Sequence, residues 1–155
     1  MTEKLNELLE ASIELEEGMS ELYFLYTSLF PEDKEFWWKI ANEEVNHASL
    51  LKSGRIYLEK GILPDEMLYE DITVLKSAIK WIQILIKKYT LSAPSFEDAY
   101  FEAVKLESSA GEFHFQVLMT EKTDSKVVKI FQSLAGDDKD HNRRILDLLT
   151  RKVKA

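Results

Sequence analysis

Each of the four longest apolar stripes in this sequence is interrupted near its middle by an acidic residue. The stripes repeat every three to four residues, which predicts α-helices rather than strands. The acids are Glu16, Glu44, Glu107 and Asp138. A histidine follows three residues after two of them, at His47 and His141, and this spacing places acid and imidazole on one helix face. A fold built around these stripes must bury four carboxylates and two imidazoles.

The rest of the pattern predicts an all-α fold organised as a four-helix bundle. Glycine and proline are scarce, at 5 and 3 residues, and each proline falls where a helical stripe stops. The stripes predict long helices at about Glu3–Leu29, Asp33–Lys60, Phe96–Glu121 and Ser125–Val153. A fifth helix, about Ile72–Tyr89, lies in the central connection and is expected to cover one side of the bundle. Short links within each half predict two antiparallel hairpins in one domain of residues 1–155, and the long central connection permits a crossover.

The apolar stripes place these acids in the core, where burying a charged group costs free energy. Burying a carboxylate is strongly unfavourable unless it is protonated, paired or bound to a cation. Carboxylates that lie close together also repel one another. No lysine or arginine falls in the stripes near these acids, whereas two divalent cations would balance four negative charges. Metal binding is the simplest explanation.

The two halves of the sequence repeat one another around these acids. Leu15-Glu16 matches Leu106-Glu107, and Glu21-Leu22-Tyr23-Phe24 matches Glu112-Phe113-His114-Phe115. The second helices match at Trp37, Ile40, Ala41, Glu44 and His47 against Phe131, Leu134, Ala135, Asp138 and His141. Counting residues from each turn brings the two acids of a hairpin to one height. Two similar hairpins related by a pseudo-twofold axis would build one site from both halves.

Other residues near the acids have simpler explanations. His114 takes the place in the second half that Tyr23 has in the first, and both are expected to pack beside a ligand or to support one. The aromatic residues expected in the core are Tyr23, Tyr26, Trp37 and Trp38. Close approach of helices is expected at Gly18, Gly54, Gly111 and Gly136. No catalytic residue is indicated beyond the metal ligands.

Charge and composition narrow the range of partners. The net charge of −8 argues against nucleic acid and anionic membranes, because both require a basic surface. The chain has no cysteine, which excludes disulfides, thiolate chemistry and iron–sulfur clusters. A bound metal must use oxygen and imidazole ligands, which suit iron or manganese, with zinc as a further candidate. No apolar signal segment or membrane-length run is present, so a cytoplasmic protein is expected.

Three segments carry a family resemblance. They are Leu15-Glu16 with Tyr23, Ala41-Asn42-Glu43-Glu44-Val45-Asn46-His47-Ala48, and the second-half copy ending in Asp138 and His141. The set resembles the rubrerythrin branch of the ferritin-like superfamily. This resemblance implies a ferritin-like four-helix bundle with a non-haem di-iron centre, peroxide reduction or ferrous iron oxidation, and usually a homodimer. In that centre Glu44 and Asp138 would bridge the ions. Glu16 and Glu107 would bind terminally, and His47 and His141 would supply nitrogen ligands.

The chain departs from that family in three ways. It has no cysteine-ligated iron domain, so electrons must come from an external donor protein. Rubrerythrins have an extra carboxylate where this chain has Ala110, and Asp138 is one methylene shorter than the usual glutamate. The last two differences weaken the peroxidase interpretation.

Three functions remain open on the sequence. The leading hypothesis is a di-iron or di-manganese oxidoreductase that acts on peroxide or dioxygen, or that oxidises ferrous iron. The second is a helical bundle that binds metal for stability or storage without turnover, which Asp138 and Ala110 favour. The third is a metal-free interaction domain whose buried carboxylates stay protonated near neutral pH.

Overall fold

A computed structural model describes residues 1–65, 68, 71–108, 120, 122–135 and 141–155, without the side chains at 134 and 135. Within these ranges the chain is helical and contains no strand, which confirms the all-α prediction. The helices are α1 (Glu3–Leu29), α2 (Lys34–Glu59), α3 (Ile72–Leu91), α4 (Phe96–Leu106), α5 (Lys126–Ala135) and α6 (His141–Lys154). A short 3₁₀ turn, Pro31–Asp33, joins α1 to α2.

The helix boundaries follow from local sequence signals. The α1 bounds match the prediction, and α2 differs from it by one residue at each end. Helix α4 begins where Ser95 accepts a hydrogen bond from the Asp98 amide, 3.1 Å away, as expected of an N-cap. The predicted helices Phe96–Glu121 and Ser125–Val153 extend over residues outside the described ranges, so only their described parts are compared.

Side-chain pairs fix the directions of the first three helices. Lys52 of α2 reaches Glu17 of α1 at 2.5 Å, and Arg55 reaches Glu10, so residues later in α2 meet residues earlier in α1. The two helices are therefore antiparallel. Helix α3 instead runs parallel to α1, because Lys76 pairs with Glu7 and the ring of Tyr89 lies 6.2 Å from that of Tyr26.

The C-terminal helices lie along α2 in the opposite direction. Lys152 of α6 pairs with Asp33 just before α2, and Arg144 pairs with Glu43 one third of the way along it. Phe131 of α5 packs near Gly54, close to the end of α2. Helices α5 and α6 therefore follow one antiparallel line beside α2.

Helix α4 is also antiparallel to α6. Asn142 donates a hydrogen bond to Ser108 at one end of the contact, and Lys152 Nζ lies 5.5 Å from the centre of the Phe96 ring at the other. It follows that α1 and α6 point one way, and that α2 and α4 point the other. Helix α3 runs with α1 in the connection between α2 and α4.

The core contains most of the aromatic residues expected there, with one correction. Tyr23, Tyr26 and Trp37 are fully buried, but Trp38 is 56% exposed and its assignment to the core is wrong. One residue turns an α-helix by about 100°, so Trp38 cannot share the inward direction of Trp37. No helix in the described ranges is long and apolar enough to cross a membrane.

The close helix approach predicted at two of the glycines is observed. A Cβ at Gly18 would lie 3.3 Å from Ile82 Cγ2, where α1 meets α3. A Cβ at Gly54 would lie 3.2 Å from Leu63 and 3.4 Å from Phe131. The other two glycines, Gly111 and Gly136, lie outside the described residues.

Candidate metal centre

Five of the six predicted metal ligands meet in the interior of the molecule. They come from four different helices or helix ends, with α1 giving Glu16, α2 giving Glu44 and His47, the end of α4 giving Glu107, and the start of α6 giving His141. None of the five is more than 5% exposed. Apolar neighbours along each helix bury these polar groups, because the groups share the inward face with core residues.

The first group of potential ligands joins α1 to α2. His47 Nδ1 lies 3.0 Å from Glu44 Oε2 and 3.4 Å from Glu16 Oε2. Glu44 and His47 share a helix face because they are three residues apart, and the antiparallel pairing brings Glu16 to the same height. The ligand atoms of the three residues all lie within 4.8 Å of one another, so the group can hold a metal ion.

The second group joins α2 to the C-terminal half of the chain. His141 Nδ1 lies 2.7 Å from Glu44 Oε1 and 3.6 Å from Glu107 Oε1. These ligand atoms also lie within 4.8 Å of one another. Glu107 and Ser108 continue α4 with π-helical geometry, a local widening that is frequent at functional sites.

Glu44 belongs to both groups and gives the centre an approximate twofold arrangement. Its Oε2 faces His47, and its Oε1 faces His141. The two imidazole rings stack with centroids 5.4 Å apart and an angle of 20° between their planes. Glu16 in one group and Glu107 in the other take equivalent places, which agrees with their places in the sequence repeat.

Glu43 is a buried carboxylate beside the centre that the apolar stripes did not single out. It is 6% exposed, and its Oε2 lies 2.8 Å from His141 Nε2, while Arg144 donates to the same oxygen at 2.5 Å. The Nδ1 of His141 therefore faces the centre, and its Nε2 is held from outside. A carboxylate that accepts from the far nitrogen of a metal-binding histidine fixes its tautomer and orientation.

The pKa values of this network reflect burial and crowded negative charge. Burial opposes protonation of His141, but the neighbouring carboxylates, Glu44 first, raise its pKa far above the ordinary histidine value. Burial, followed by repulsion from Glu44, raises the pKa of Glu107. Burial would also raise the pKa of Glu43, but hydrogen bonds from His141 and Arg144 outweigh it and lower that pKa. Without a cation, positive charge in the centre comes from bound protons.

Tyr23 contacts the centre directly. It is fully buried and donates a hydrogen bond of 2.7 Å to Glu107 Oε1. The pKa of Tyr23 is raised well above its usual value, first by burial and then by the negative charges of Glu107 and Glu44. The phenol therefore stays protonated and keeps one carboxylate oxygen of Glu107 oriented.

The donor atoms suit a hard or borderline divalent cation. Carboxylate oxygens and imidazole nitrogens are the ligands that iron, manganese and zinc accept in proteins. Within the described part of the chain, Glu107 Oε2 is buried and has no hydrogen-bond donor. An unsatisfied buried carboxylate oxygen requires an explanation, and a cation supplies one. The residues present therefore fit a metal ion.

Three positions that the sequence singled out lie outside the described residues. These are Asp138, predicted as a ligand, His114, predicted to pack beside or support a ligand, and Ala110, where the related family has an extra carboxylate. Their place relative to the centre is a prediction of the sequence repeat alone.

Comparison with known proteins gives no relative for this chain. No protein-family model, no curated protein and no solved structure matches it.

Proposed function

We propose that this chain is a ferritin-like, rubrerythrin-related bundle that binds two metal ions and acts as an oxidoreductase on peroxide or dioxygen. The observation that carries the proposal is the position of Glu44, whose two oxygens face two separate carboxylate–histidine groups. A carboxylate shared in this way suits two adjacent cations, each held by one further acid and one histidine.

The helix directions support the ferritin-like part of the proposal. Ferritin-like bundles join two hairpins through one long crossover connection. Helix α3 lies in such a connection here, parallel to α1, and returns the chain so that α4 starts beside the beginning of α2. In this proposal the sequence 1–155 forms one bundle around one centre.

The proposed ligands divide by role. Glu44 would be shared between the two ions, with Asp138 proposed from the sequence repeat as a second shared carboxylate, and Glu16 and Glu107 would each hold one ion. His47 and His141 supply nitrogen through Nδ1. When bound, a pair of iron ions would supply electrons to the O–O bond of peroxide or dioxygen, and further ferrous iron could replace those electrons.

The surrounding residues prepare the centre for that chemistry. Glu43 and Arg144 hold His141 with Nδ1 directed inward, so the ring needs no reorientation to bind. The Tyr23 hydroxyl donates its proton in a hydrogen bond to Glu107 Oε1, with 2.7 Å between the two oxygens. The buried aromatic and aliphatic residues around the ligands exclude water, which strengthens the attraction between the carboxylates and a cation.

The proposed partners follow from the same argument. A chain without cysteine has no iron–sulfur or cysteine-ligated iron centre of its own, so an external protein must supply electrons. The net charge of −8 is unsuited to nucleic acid or anionic membranes. A homodimer is the assembly proposed on the family resemblance.

A structural metal site is the second candidate. The two groups draw ligands from α1, α2, α4 and α6, so a bound ion would link all four of these helices. Such a link stabilises the fold without any turnover. Zinc distinguishes the redox role from the structural role, because it is redox-inert and can only stabilise the fold.

Peroxide consumption by the iron-loaded chain tests the proposed activity. After anaerobic loading with iron(II), peroxide should be consumed as iron(II) is oxidised. Glu44→Gln should reduce the rate at least tenfold, because it removes a charge from both groups. Glu17→Gln is the matched control, since Glu17 is an exposed glutamate on α1 paired with Lys52, and it should retain the rate. An iron-loaded chain that neither consumes peroxide nor oxidises iron would leave only the structural role.

A further inference from the structure

A series of aromatic rings leads from the centre toward the surface. The ring of Tyr23 lies 5.4 Å from that of Trp37, which lies 4.9 Å from that of Tyr100. All three side chains are fully buried. The Tyr100 hydroxyl donates a 2.6 Å hydrogen bond to Asp33 Oδ2, and Asp33 pairs with Lys152, which is partly exposed. The rings therefore connect Glu107 to the protein surface without a gap.

Both tyrosines of this series have a carboxylate that can take a proton. Tyr23 donates to Glu107 Oε1 at 2.7 Å, as Tyr100 does to Asp33. Loss of an electron makes a phenol strongly acidic, so a tyrosine is oxidised readily only where a base accepts its proton. Each hydrogen bond therefore gives the phenol proton an acceptor to move to when the ring loses an electron.

Tyr26 lies among the same rings but lacks such a base. Its ring is 4.9 Å from Trp37 and 6.0 Å from Tyr23. Its hydroxyl, however, donates to the backbone carbonyl of Ala99 at 3.1 Å, and an amide oxygen is far too weak a base to accept the proton. Tyr26 is a matched neighbour that should take no part in electron transfer.

We propose that Tyr23, Trp37 and Tyr100 carry single electrons between the surface at Asp33 and the metal centre. This inference rests on the proposed redox function and names the route that an external donor would use. The oxidant is peroxide, which takes up two electrons from the donor and two protons from solvent to give two molecules of water. The electrons come one at a time from a one-electron donor protein at the surface.

Each electron transfer along the route balances in charge and protons. An electron leaves the Tyr23 ring toward the centre as its hydroxyl proton passes to Glu107 Oε1. Trp37 returns an electron to Tyr23, which recovers its proton. Tyr100 then reduces Trp37 while its own proton passes to Asp33 and returns when the donor supplies the replacement electron. Each residue ends in its starting state.

The absence of cysteine allows a direct test from the surface. A Glu32→Cys substitution beside Asp33 can be labelled uniquely with a ruthenium photo-oxidant, because the chain has no other cysteine. A flash then oxidises the nearest ring, and transient absorption follows tyrosyl and tryptophanyl radicals in the full-length protein with and without iron. Because the metal-free protein suffices, this test gives a result even if the chain binds no iron.

The account predicts that the radical reaches Tyr23. The tyrosyl signal should fall at least threefold in Tyr23→Phe, and its late phase should slow at least tenfold in Trp37→Phe, which keeps an aromatic ring but cannot be oxidised. Tyr26→Phe should change neither the yield nor the rate. Tyr100→Phe, which removes the link to Asp33, provides a second test if Trp37→Phe does not fold. Equal behaviour of the Trp37 or Tyr100 variants and Tyr26→Phe would overturn the route.

Metal content of each variant separates this inference from the proposed function. Iron binding without radical transfer to Tyr23 would reject the route and leave the metal centre standing. Radical transfer without iron binding would reject the metal centre and leave the route as a property of the aromatic core.

Discussion

At the scale of single residues, the role of each buried carboxylate depends on which groups its two oxygens contact. Glu44 presents one oxygen to each histidine, whereas Glu43 presents one oxygen to His141 and Arg144 together. Adjacent glutamates on one helix therefore have different tasks. Glu44 faces Nδ1 of His141 on the inner side of the ring, and Glu43 faces Nε2 on the outer side.

Replacing Glu43 by glutamine should destabilise the metal-free protein in a pH-dependent way. Hydrogen bonds from His141 and Arg144 favour the charged form of Glu43 and hold its folded-state pKa below the ordinary glutamate value. Its contribution is therefore present above the unfolded pKa and is lost as the pH falls through the lower folded pKa. We expect Glu43→Gln to lower the free energy of unfolding by about 1–2 kcal/mol at pH 7.

Urea unfolding at several pH values measures that difference. The difference in free energy of unfolding between Glu43→Gln and the unsubstituted chain should shrink below about pH 4.5, because the Glu43 carboxylate itself becomes protonated there. Glu17→Gln, an exposed substitution, serves as the control and should show a small gap at every pH. A Glu43→Gln gap that stays constant from pH 7 to pH 3 would contradict the assigned hydrogen bonds.

At the scale of helices, the sequence predicted the elements well and their outer contacts poorly. The start of α1 and its end before Pro31 follow from local signals, and so does the capped start of α4 at Ser95. Glu16, Glu44 and His47 were predictable because they interrupt apolar stripes. Periodicity marks such inward positions without any knowledge of the neighbouring helix.

The errors at Glu43 and Trp38 have different physical origins. Glu43 is one residue from Glu44, and a stripe assigns it to a different face of the helix. Only α6, packed beside α2, places a histidine and an arginine against its carboxylate. The prediction for Trp38 is wrong in the opposite sense, because its apolar ring suggested burial but its position on the helix directs it outward. Contacts with a distant helix decide the environment of Glu43, whereas the helical turn between Trp37 and Trp38 is enough to place Trp38 outside.

Removing the α4 cap tests whether that helix depends on its local signal. Ser95→Ala removes the acceptor for the Asp98 amide, which lies 3.1 Å from Ser95 Oγ. We expect a loss of about 1 kcal/mol in the free energy of unfolding, measured by chemical denaturation. Ser95→Asp, which keeps a capping oxygen, should restore most of the loss. Equal destabilisation by both substitutions would show that the loss does not come from the missing capping oxygen.

At the scale of the whole molecule, the centre joins the two halves of the chain. Helices α1 and α2 supply one group, and Glu107 and His141 complete the other around Glu44. In the metal-free protein, bound protons must offset the negative charge of these buried acids. A cation that binds only the folded state should therefore stabilise the entire bundle.

Zinc should raise the melting temperature of the metal-free chain. A free concentration one hundred times the dissociation constant adds about 2.7 kcal/mol to the free energy of unfolding. For a chain of this length that corresponds to a shift of roughly 5–10 °C. Differential scanning calorimetry should show the shift in Glu17→Gln but little of it in Glu44→Gln. An equal shift in Glu44→Gln would place the stabilising zinc elsewhere.

The number of iron ions bound per chain tests the central claim most directly. Iron(II) is loaded without oxygen, excess metal is removed, and bound iron is counted by elemental analysis. The account predicts about two ions in the unsubstituted chain and in Glu17→Gln, about one in Glu16→Gln, and fewer than one in Glu44→Gln. Less than one ion in the unsubstituted chain, or two in Glu44→Gln, would contradict a two-metal centre built around Glu44.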